Sequence, residues 1–235
     1  VRGRSCGTNA MLHLSEAFTS YHAFAEASLE GVFTQRCLDN AHRFAATELR
    51  TGLLLNDGNG RFTFRPLPRI AQIAPSFGVV ILDANLDGNP DIILAQNFFG
   101  PQLETGAMDG GAGQLLLGDG KGEFTPVPPH ESGLVVPGDA RSVTACDVND
   151  DGLADIVVAI NSGAPAVFLN TSDTGISEKP SVMTIELVGP VGNRSAVGAK
   201  ATIVGQDGIA QSFEIALGGG YLSQSPPRIT LSTAE

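Results

Sequence analysis

Two short acidic segments carry oxygen side chains at positions 1, 3, 5 and 9 of a loop. In the first segment these residues are Asp83, Asn85, Asp87 and Asp91. In the second, 64 residues later, they are Asp147, Asn149, Asp151 and Asp155. A hard cation such as Ca²⁺ takes about six to eight oxygen ligands, so carboxylates and amides at this spacing favour a calcium site.

Each loop also has a glycine at position 6, Gly88 or Gly152. Glycine lets the chain turn sharply, which would bring the backbone carbonyl of position 7, Asn89 or Leu153, toward the ion. The pattern therefore predicts two calcium sites. An acidic surface turn that binds nothing is the alternative. The repetition of all four oxygen positions and of the glycine favours calcium.

An EF-hand begins in the same way but needs a glutamate at position 12 and a helix on each side. Position 12 is Leu94 in the first loop and Val158 in the second. Each loop is followed by a β-branched apolar run, which is typical of a buried strand. We therefore predict that each loop joins two strands of a hairpin and that the aspartate at position 9 closes the site.

A second repeated pattern alternates with the acidic loops along the chain. Residues 53–63 and 115–125 each read as a strand, a glycine-rich turn and a second strand, and 166–170 is a degenerate third copy. The Asp-Gly pairs supply positive φ for tight turns, so these residues are predicted to be structural. Hairpins with acidic loops thus alternate with hairpins with glycine turns.

This alternation gives a unit of four strands over roughly sixty residues, which is the mark of a β-propeller. Residues 76–128 form one complete predicted blade, flanked by parts of its neighbours. A closed ring needs about four or more blades. The remaining blades are therefore expected from a longer chain.

The chain is predicted to be mainly β, with three parts. Residues 1–50 form a helical segment, 51–176 hold the partial β-propeller of four-stranded antiparallel blades, and 181–235 form a small β module. Apolar spacing predicts helices over 20–33 and 38–50. Their N-caps are predicted at Thr19 or Ser20 and at Asp39 or Asn40. This helical pair is either a docking element or, as we favour, an insertion packed on the main domain.

Charge and composition exclude some classes of partner and a membrane-spanning helix. The net charge of −11 makes nucleic acid or an anionic membrane an unsuitable partner. No run of about eighteen apolar residues occurs, so no membrane-spanning helix is expected. The first residues have no apolar segment of a signal peptide, and the chain does not start with Met, so we expect a piece of a longer protein.

The cysteines lack metal-binding spacing. A disulfide between Cys6 and Cys37 stays open, and Cys146 is expected to be a small buried residue.

The segment 96–113 is too polar and glycine-rich for a core but carries two adjacent aromatic residues, Phe98 and Phe99. It is either a loop that binds a ligand or a structured spacer. A catalytic alternative would use His130, Glu131 and Ser132, or bring Glu104, Asp109 and His130 together. The chain has no nucleophile-elbow motif and no HExxH motif, so no enzyme is expected.

The acidic loops and the glycine turns together resemble the FG-GAP or VCBS repeats of integrin-α-type β-propellers. The segments Gly192–Lys200 and 219–225 resemble the ASPIC/UnbV module, which accompanies such propellers in bacterial secreted proteins and in a cartilage acidic protein. The two resemblances cover about residues 53–231. The usual Phe-Gly-Leu-Gly after the last strand is replaced here by Ile229-Thr-Leu-Ser-Thr, and the module is expected to be truncated.

The resemblance implies a calcium-stabilised scaffold that is secreted, periplasmic or on the cell surface and serves adhesion or protein interaction. It implies no shared catalytic site. The expected function is non-catalytic recognition of a protein or glycan ligand, with two bound Ca²⁺ ions. One alternative is a propeller-type hydrolase or polysaccharide-processing enzyme in which calcium is only structural. Another is a scaffold with no partner.

Overall fold

The computed structural model describes residues 3–103, 105–171, 182–205 and 210–232. The chain divides into two compact units, Val1–Leu49 and Arg50–Glu235. The first unit is helical and the second is built from antiparallel strands.

The first unit contains five short helices: α1 (Arg4–Ala10), α2 (His13–Ala17), α3 (Tyr21–Glu26), α4 (Leu29–Val32) and α5 (Gln35–Asp39). Ser20 caps α3, as predicted, because its hydroxyl accepts a hydrogen bond from Ala23 N at 3.1 Å. A small core formed by Leu14, Phe24 and Val32 holds the helices together.

Both helix predictions in this unit need correction. The helix predicted over 20–33 is divided in two, because the Ser28 hydroxyl accepts from Gly31 N and starts a new helix. The helix predicted over 38–50 is wrong, since α5 ends at Asp39 and residues 40–50 are not helical. Asp39 and Asn40 are therefore not N-caps. Phe44 and Leu49 are 94% and 86% exposed. A short helix is stabilised mainly by packing of its apolar face, and these apolar residues do not pack against a surface.

The described part of the second unit contains thirteen strands in five antiparallel sheets. They are β1 (Gly52–Asn56), β2 (Phe62–Pro66), β3 (Ser76–Leu82), β4 (Asp91–Gln96), β5 (Gln114–Gly118), β6 (Phe124–Val127), β7 (Ala140–Cys146), β8 (Asp155–Ile160), β9 (Ala166–Phe168), β10 (Val182–Glu186), β11 (Lys200–Val204), β12 (Ala210–Glu214) and β13 (Arg228–Ser232). A 3₁₀ helix (Arg69–Gln72) precedes β3, and α6 (Pro129–Ser132) precedes β7.

The four strands predicted for the complete blade form the sheet β3-β4-β5-β6, in which every neighbouring pair is consecutive in sequence. The sheet β7-β8-β9 repeats its first three strands. Both sheets even carry a register irregularity at the same place, between Ser76 and Gly78 and between Ala140 and Ser142. The mainly β prediction is thus confirmed. The described strands form separate sheets and not a closed ring.

The two sheets meet where β3 lies beside β7. A Cβ atom added to Gly78 would lie 2.9 Å from Val143 N, so only glycine lets the strands approach this closely. Ile93, Ile156 and Val158 belong to the apolar cluster between the sheets. The backbones of β3 and β7 therefore lie in close contact.

Strand β4 is buried along its whole length because it packs on both faces. Ile93 and Ala95 join the cluster between the two sheets, whereas Ile92 and Leu94 join a second cluster with Leu116. Burial on both faces explains the unbroken apolar run that follows the first acidic loop.

The C-terminal strands form two pairs, β10 with β13 and β11 with β12. Strand β13 was not predicted, because the sequence reading placed its residues after the last strand. A segment of this module also reaches the blades: Ala145 N donates to the Ser225 hydroxyl at 3.2 Å, and the Tyr221 and Phe77 rings lie 5.4 Å apart. The module therefore covers part of the β3 and β7 strands.

The substitution Leu116→Ala should destabilise the second unit by about 3 kcal/mol, because Leu116 is fully buried between two sheets and its loss leaves a cavity. The measurement is urea unfolding followed by circular dichroism. Leu54→Ala is the control, since that residue is 67% exposed and its change should stay within about 0.5 kcal/mol. Equal losses in the two variants would contradict the assignment of this core.

Candidate metal centre

Each acidic segment forms the connection between the first two strands of a sheet. Leu82 pairs with Asp91 across β3 and β4, and Cys146 pairs with Asp155 across β7 and β8. The loops therefore lie in β-hairpins and not between helices, as predicted.

The two loops have the same backbone conformation. Position 4 is left-handed in both, with φ of 63° at Leu86 and 58° at Asp150. Position 6 has φ of 86° at both Gly88 and Gly152, a value that favours glycine. The glycine predicted to allow a sharp turn thus has this role in each loop.

In the first loop, the side chains of positions 1, 3 and 5 gather around the same backbone. Asp87 N donates to Asp83 Oδ1 at 3.0 Å and to Asn85 Oδ1 at 3.2 Å. Gly88 N donates to Asp83 Oδ2 at 2.9 Å, and Asn85 Nδ2 donates to Asp87 Oδ2 at 3.0 Å. The side chains of Asp83 and Asn85 thus both accept from the backbone N–H of Asp87, and the Asp87 side chain contacts that of Asn85.

The second loop has the same hydrogen bonds, with nearly the same distances. Asp151 N donates to Asp147 Oδ1 at 3.1 Å and to Asn149 Oδ1 at 3.2 Å. Gly152 N donates to Asp147 Oδ2 at 3.0 Å, and Asn149 Nδ2 donates to Asp151 Oδ2 at 2.9 Å. The shared residue types in the same hairpin setting therefore give the same loop geometry.

The aspartates at position 9 have a structural role in addition to the ligand role that the sequence predicts. Asp91 has no exposed surface, and its two oxygens accept from Ala84 N and Gly118 N, both at 2.8 Å. Asp155 is equally buried and accepts from Val148 N at 2.8 Å and Asn170 N at 2.7 Å. Each of these carboxylates therefore ties its loop to the end of the third strand of the sheet.

Two carboxylates of the first loop, Asp83 and Asp91, have a raised pKa. Burial raises the pKa of Asp83, and the charges of Asp87 and Asp91 add to the increase, while the Gly88 N–H opposes it. Burial also raises the pKa of Asp91, again with a contribution from Asp87, although the N–H groups of Gly118 and Ala84 oppose it. A cation at this loop would relieve this repulsion.

Position 7 contributes a backbone N–H to each loop. Asn89 N donates to Asp87 Oδ1 at 2.8 Å, and Leu153 N donates to Asp151 Oδ1 at 2.9 Å. The carbonyl groups of Asn89 and Leu153 stay predicted ligands.

The fit of these loops to calcium depends on the chemistry of the donors. Within the described ranges, no three His, Cys, Asp or Glu side chains are grouped to hold a metal ion. Each loop instead gathers carboxylate and amide oxygens, the ligands that a hard cation prefers. These oxygens already accept N–H groups, but a carboxylate has about four lone-pair sites and can also coordinate an ion. The donor set therefore fits calcium.

The segment 96–113 is anchored at the other end of β4. Asn97 is fully buried with φ of 90°, and its amide donates to Gly111 O at 2.8 Å and to Gly138 O at 2.9 Å. Phe98 pairs with Met108 across the loop. These contacts make the segment a structured loop, and whether it binds a ligand stays a prediction.

A charged and aromatic cluster beside this loop was missed by sequence reasoning. The Arg141 guanidinium lies 4.4 Å from the Phe77 ring centroid and 4.6 Å from that of Phe98. It also pairs with the buried carboxylate of Asp139 at 2.9 Å. No motif marks these residues, because β3, β7 and the 96–113 loop come together only in the folded chain.

The residues of the catalytic alternative have ordinary surface contacts. His130 Nε2 lies 3.5 Å from Glu131 Oε1, with both side chains largely exposed. The Ser132 hydroxyl accepts from Leu134 N at 3.2 Å. Glu104 lies outside the described residues.

The structure describes all three cysteines for which predictions were made from the sequence. No disulfide joins the described Cys6 and Cys37. Cys146 is half-buried at the end of β7, and burial raises the pKa of its thiol, with added contributions from Asp155 and Asp147.

Where the chain is described, none of its helices combines the length and the apolar character that crossing a membrane requires.

The described sheets and loops define a repeat protein in which two antiparallel sheets, one of four strands and one of three, each contain an acidic hairpin loop. Residues 105–158 match the family model of the FG-GAP-like repeat, a range that includes the second acidic loop. Residues 189–234 match the model described as ASPIC and UnbV. The chain therefore carries an FG-GAP-like repeat over 105–158 and an ASPIC/UnbV module over 189–234. No match was found among curated proteins.

The substitution Asp91→Ala should destabilise the second unit by about 3 kcal/mol in EDTA, and by at least as much in calcium, because it leaves two inner backbone N–H groups without their charged acceptor. The measurement is urea unfolding in EDTA and in calcium.

Asp119→Ala is the matched control for this change. Asp119 also accepts two backbone N–H groups, from Lys121 and Glu123, but lies in an exposed turn where water can replace it. Its loss should cost less than about 1 kcal/mol. If Asp91→Ala were no more harmful than Asp119→Ala, the structural role of position 9 would be refuted.

Proposed function

We propose that this chain is a calcium-binding, non-catalytic recognition module that works outside the cytoplasm as part of a β-propeller. The main support for the proposal is that the two acidic loops have the same backbone conformation and the same hydrogen bonds. FG-GAP repeats belong to extracellular propellers of the adhesion and recognition type, which favours the same function here.

Calcium would act on the hairpins through charge. The first loop holds three aspartates within nine residues and the second holds four, and burial with repulsion from neighbouring carboxylates raises the pKa of Asp83 and Asp91. The side chains of positions 1, 3, 5 and 9, with the carbonyl of position 7, would hold the ion and complete its shell with water. Neutralising these charges would stabilise the folded hairpins by mass action.

The propeller is supported by how the two sheets repeat and pack. Strands β3 and β7 lie side by side, as the innermost strands of neighbouring blades would. The hairpins farther out keep apolar side chains exposed, among them Leu54 on β1, Val167 on β9 and Leu169 just after β9. Further blades from a longer chain would bury such residues.

Recognition would use a protein or glycan ligand. The loop 96–113 is structured at the end of β4 that lies away from the acidic loop, and Phe99 and Met108 are exposed on it. Tyr221 of the ASPIC/UnbV module is exposed and packs on Phe77 in the same region. Partly exposed aromatic rings beside hydrogen-bonding groups suit either kind of ligand. Secretion, the periplasm or the cell surface is the proposed location.

Removing calcium with EDTA should lower the melting temperature of the chain by about 5–10 °C for each bound ion. A ligand at a hundred times its Kd adds about 2.7 kcal/mol of stability, and about 1 kcal/mol shifts the melting temperature of a protein of this size by about 2–4 °C. The measurement is a thermal melt with added CaCl₂ against one with EDTA.

The double variant Asp87→Asn and Asp151→Asn should melt at the same temperature in calcium and in EDTA. Asp57→Asn, a turn residue outside both loops, should keep the full calcium response. An unchanged melt of the unaltered chain in EDTA would count against calcium binding.

Binding and catalysis are separated by exposing the chain to a panel of glycans and polysaccharides. We expect capture on a glycan array or by an envelope protein, without release of reducing ends from the polysaccharides. Release of reducing ends that disappears in His130→Ala would establish an enzyme instead.

A further inference from the structure

Asn170 occupies a position at which the two sheets differ. Leu116 pairs with Ile92 in the first sheet and Phe168 pairs with Ile156 in the second, so Gly118 and Asn170 are equivalent, two residues further on. Both donate their backbone N–H to the position 9 aspartate, at 2.8 Å and 2.7 Å. Only Asn170 has a side chain that can reach farther.

The Asn170 side chain contacts the other acidic loop. Its Nδ2 donates to Ala84 O at 3.0 Å, in a partly buried contact between residues 86 apart in sequence. Ala84 lies between Asp83 and Asn85, the proposed ligands at positions 1 and 3. Ala84 N in turn donates to Asp91 Oδ2 at 2.8 Å.

Three hydrogen bonds therefore connect the two loops without interruption. They run from Asp91 to Ala84, from Ala84 to the Asn170 side chain, and from the Asn170 backbone to Asp155. The buried aspartate at each end is position 9 of its own loop. Each end of the path is thus held by a residue that closes one proposed calcium site.

We infer that Asn170 is a positioning residue that couples the two calcium sites, so that an ion in one loop raises the affinity of the other. The inference rests on the proposed function, because it requires that both loops bind calcium. It adds that the sites act together, and it assigns the coupling to one side chain.

The physical reason is the ordering of a shared peptide. An ion in the second loop fixes Asp155, which fixes the Asn170 backbone and so directs its amide toward Ala84. Ala84 is then held on both its N–H and its carbonyl, which orders Asp83 and Asn85 before an ion arrives. The first loop loses less conformational entropy on binding, and the effect is reciprocal by linkage.

The test is calcium titration by calorimetry on the 235-residue chain and three variants: Asp151→Asn, Asn170→Ala and the two combined. Asp151→Asn disables the second loop, so the remaining heat reports the first. With Asn170 present, we expect this change to weaken the first site about five-fold or more, the lower end of usual coupling. In the Asn170→Ala background the loss should fall below about two-fold.

Two further variants control for effects on folding. Asn170→Gly reproduces the residue found at Gly118 and keeps the backbone N–H to Asp155, so it replaces the alanine variant if that one does not fold. Asn56→Ala removes the equivalent amide of the first hairpin, whose oxygen accepts from Gly58 N within its own turn. Asn56→Ala should leave the coupling unchanged.

The possible results separate the inference from the proposed function. If the unaltered chain takes up no calcium, both fail. If it binds two ions but Asp151→Asn leaves the first site unchanged, or strengthens it, the proposed function stands and the coupling is refuted. Coupling of equal size with asparagine, alanine or glycine at position 170 would overturn the assignment to this side chain.

Discussion

The architecture of the blades depends on a buried aspartate at the start of each second strand. Asp91 and Asp155 each accept two backbone N–H groups, one from their own loop and one from the end of the third strand. Hydrogen bonds to a charged acceptor are among the stronger ones in proteins, and an inner N–H without an acceptor is costly. One side chain therefore fixes the hairpin loop and the register of the next strand.

This constraint explains why the acidic loops are ordered by the protein's own groups. In each loop, carboxylate and amide oxygens take up the N–H groups that a tight turn leaves without strand partners. The arrangement has an electrostatic cost, visible in the raised pKa of Asp83 and Asp91. A hard cation would offset this cost, so the same residues serve both the turn and the proposed calcium site.

The two ends of the blades carry different chemistry. The acidic loops occupy one end of β4, and the opposite end leads into the 96–113 loop beside Arg141, Phe77 and Phe98. The ASPIC/UnbV module contacts the blades through Tyr221 and Ser225. The acidic loops and the proposed recognition surface are thus separated along the strand direction.

The sequence by itself determined the hairpins, the complete blade and the residues of both acidic loops, because these depend on local spacing and on glycines with positive φ. It failed where a pattern needs a partner surface: the predicted helix over 38–50 has nothing to bury its apolar face against, and β13 forms only by pairing with β10. The tertiary structure alone decided that the Asp91 and Asp155 side chains each connect their own loop to the end of the third strand through hydrogen bonds. It also decided that Asn170 reaches the first loop, because that contact joins residues 86 apart through the packing of two sheets.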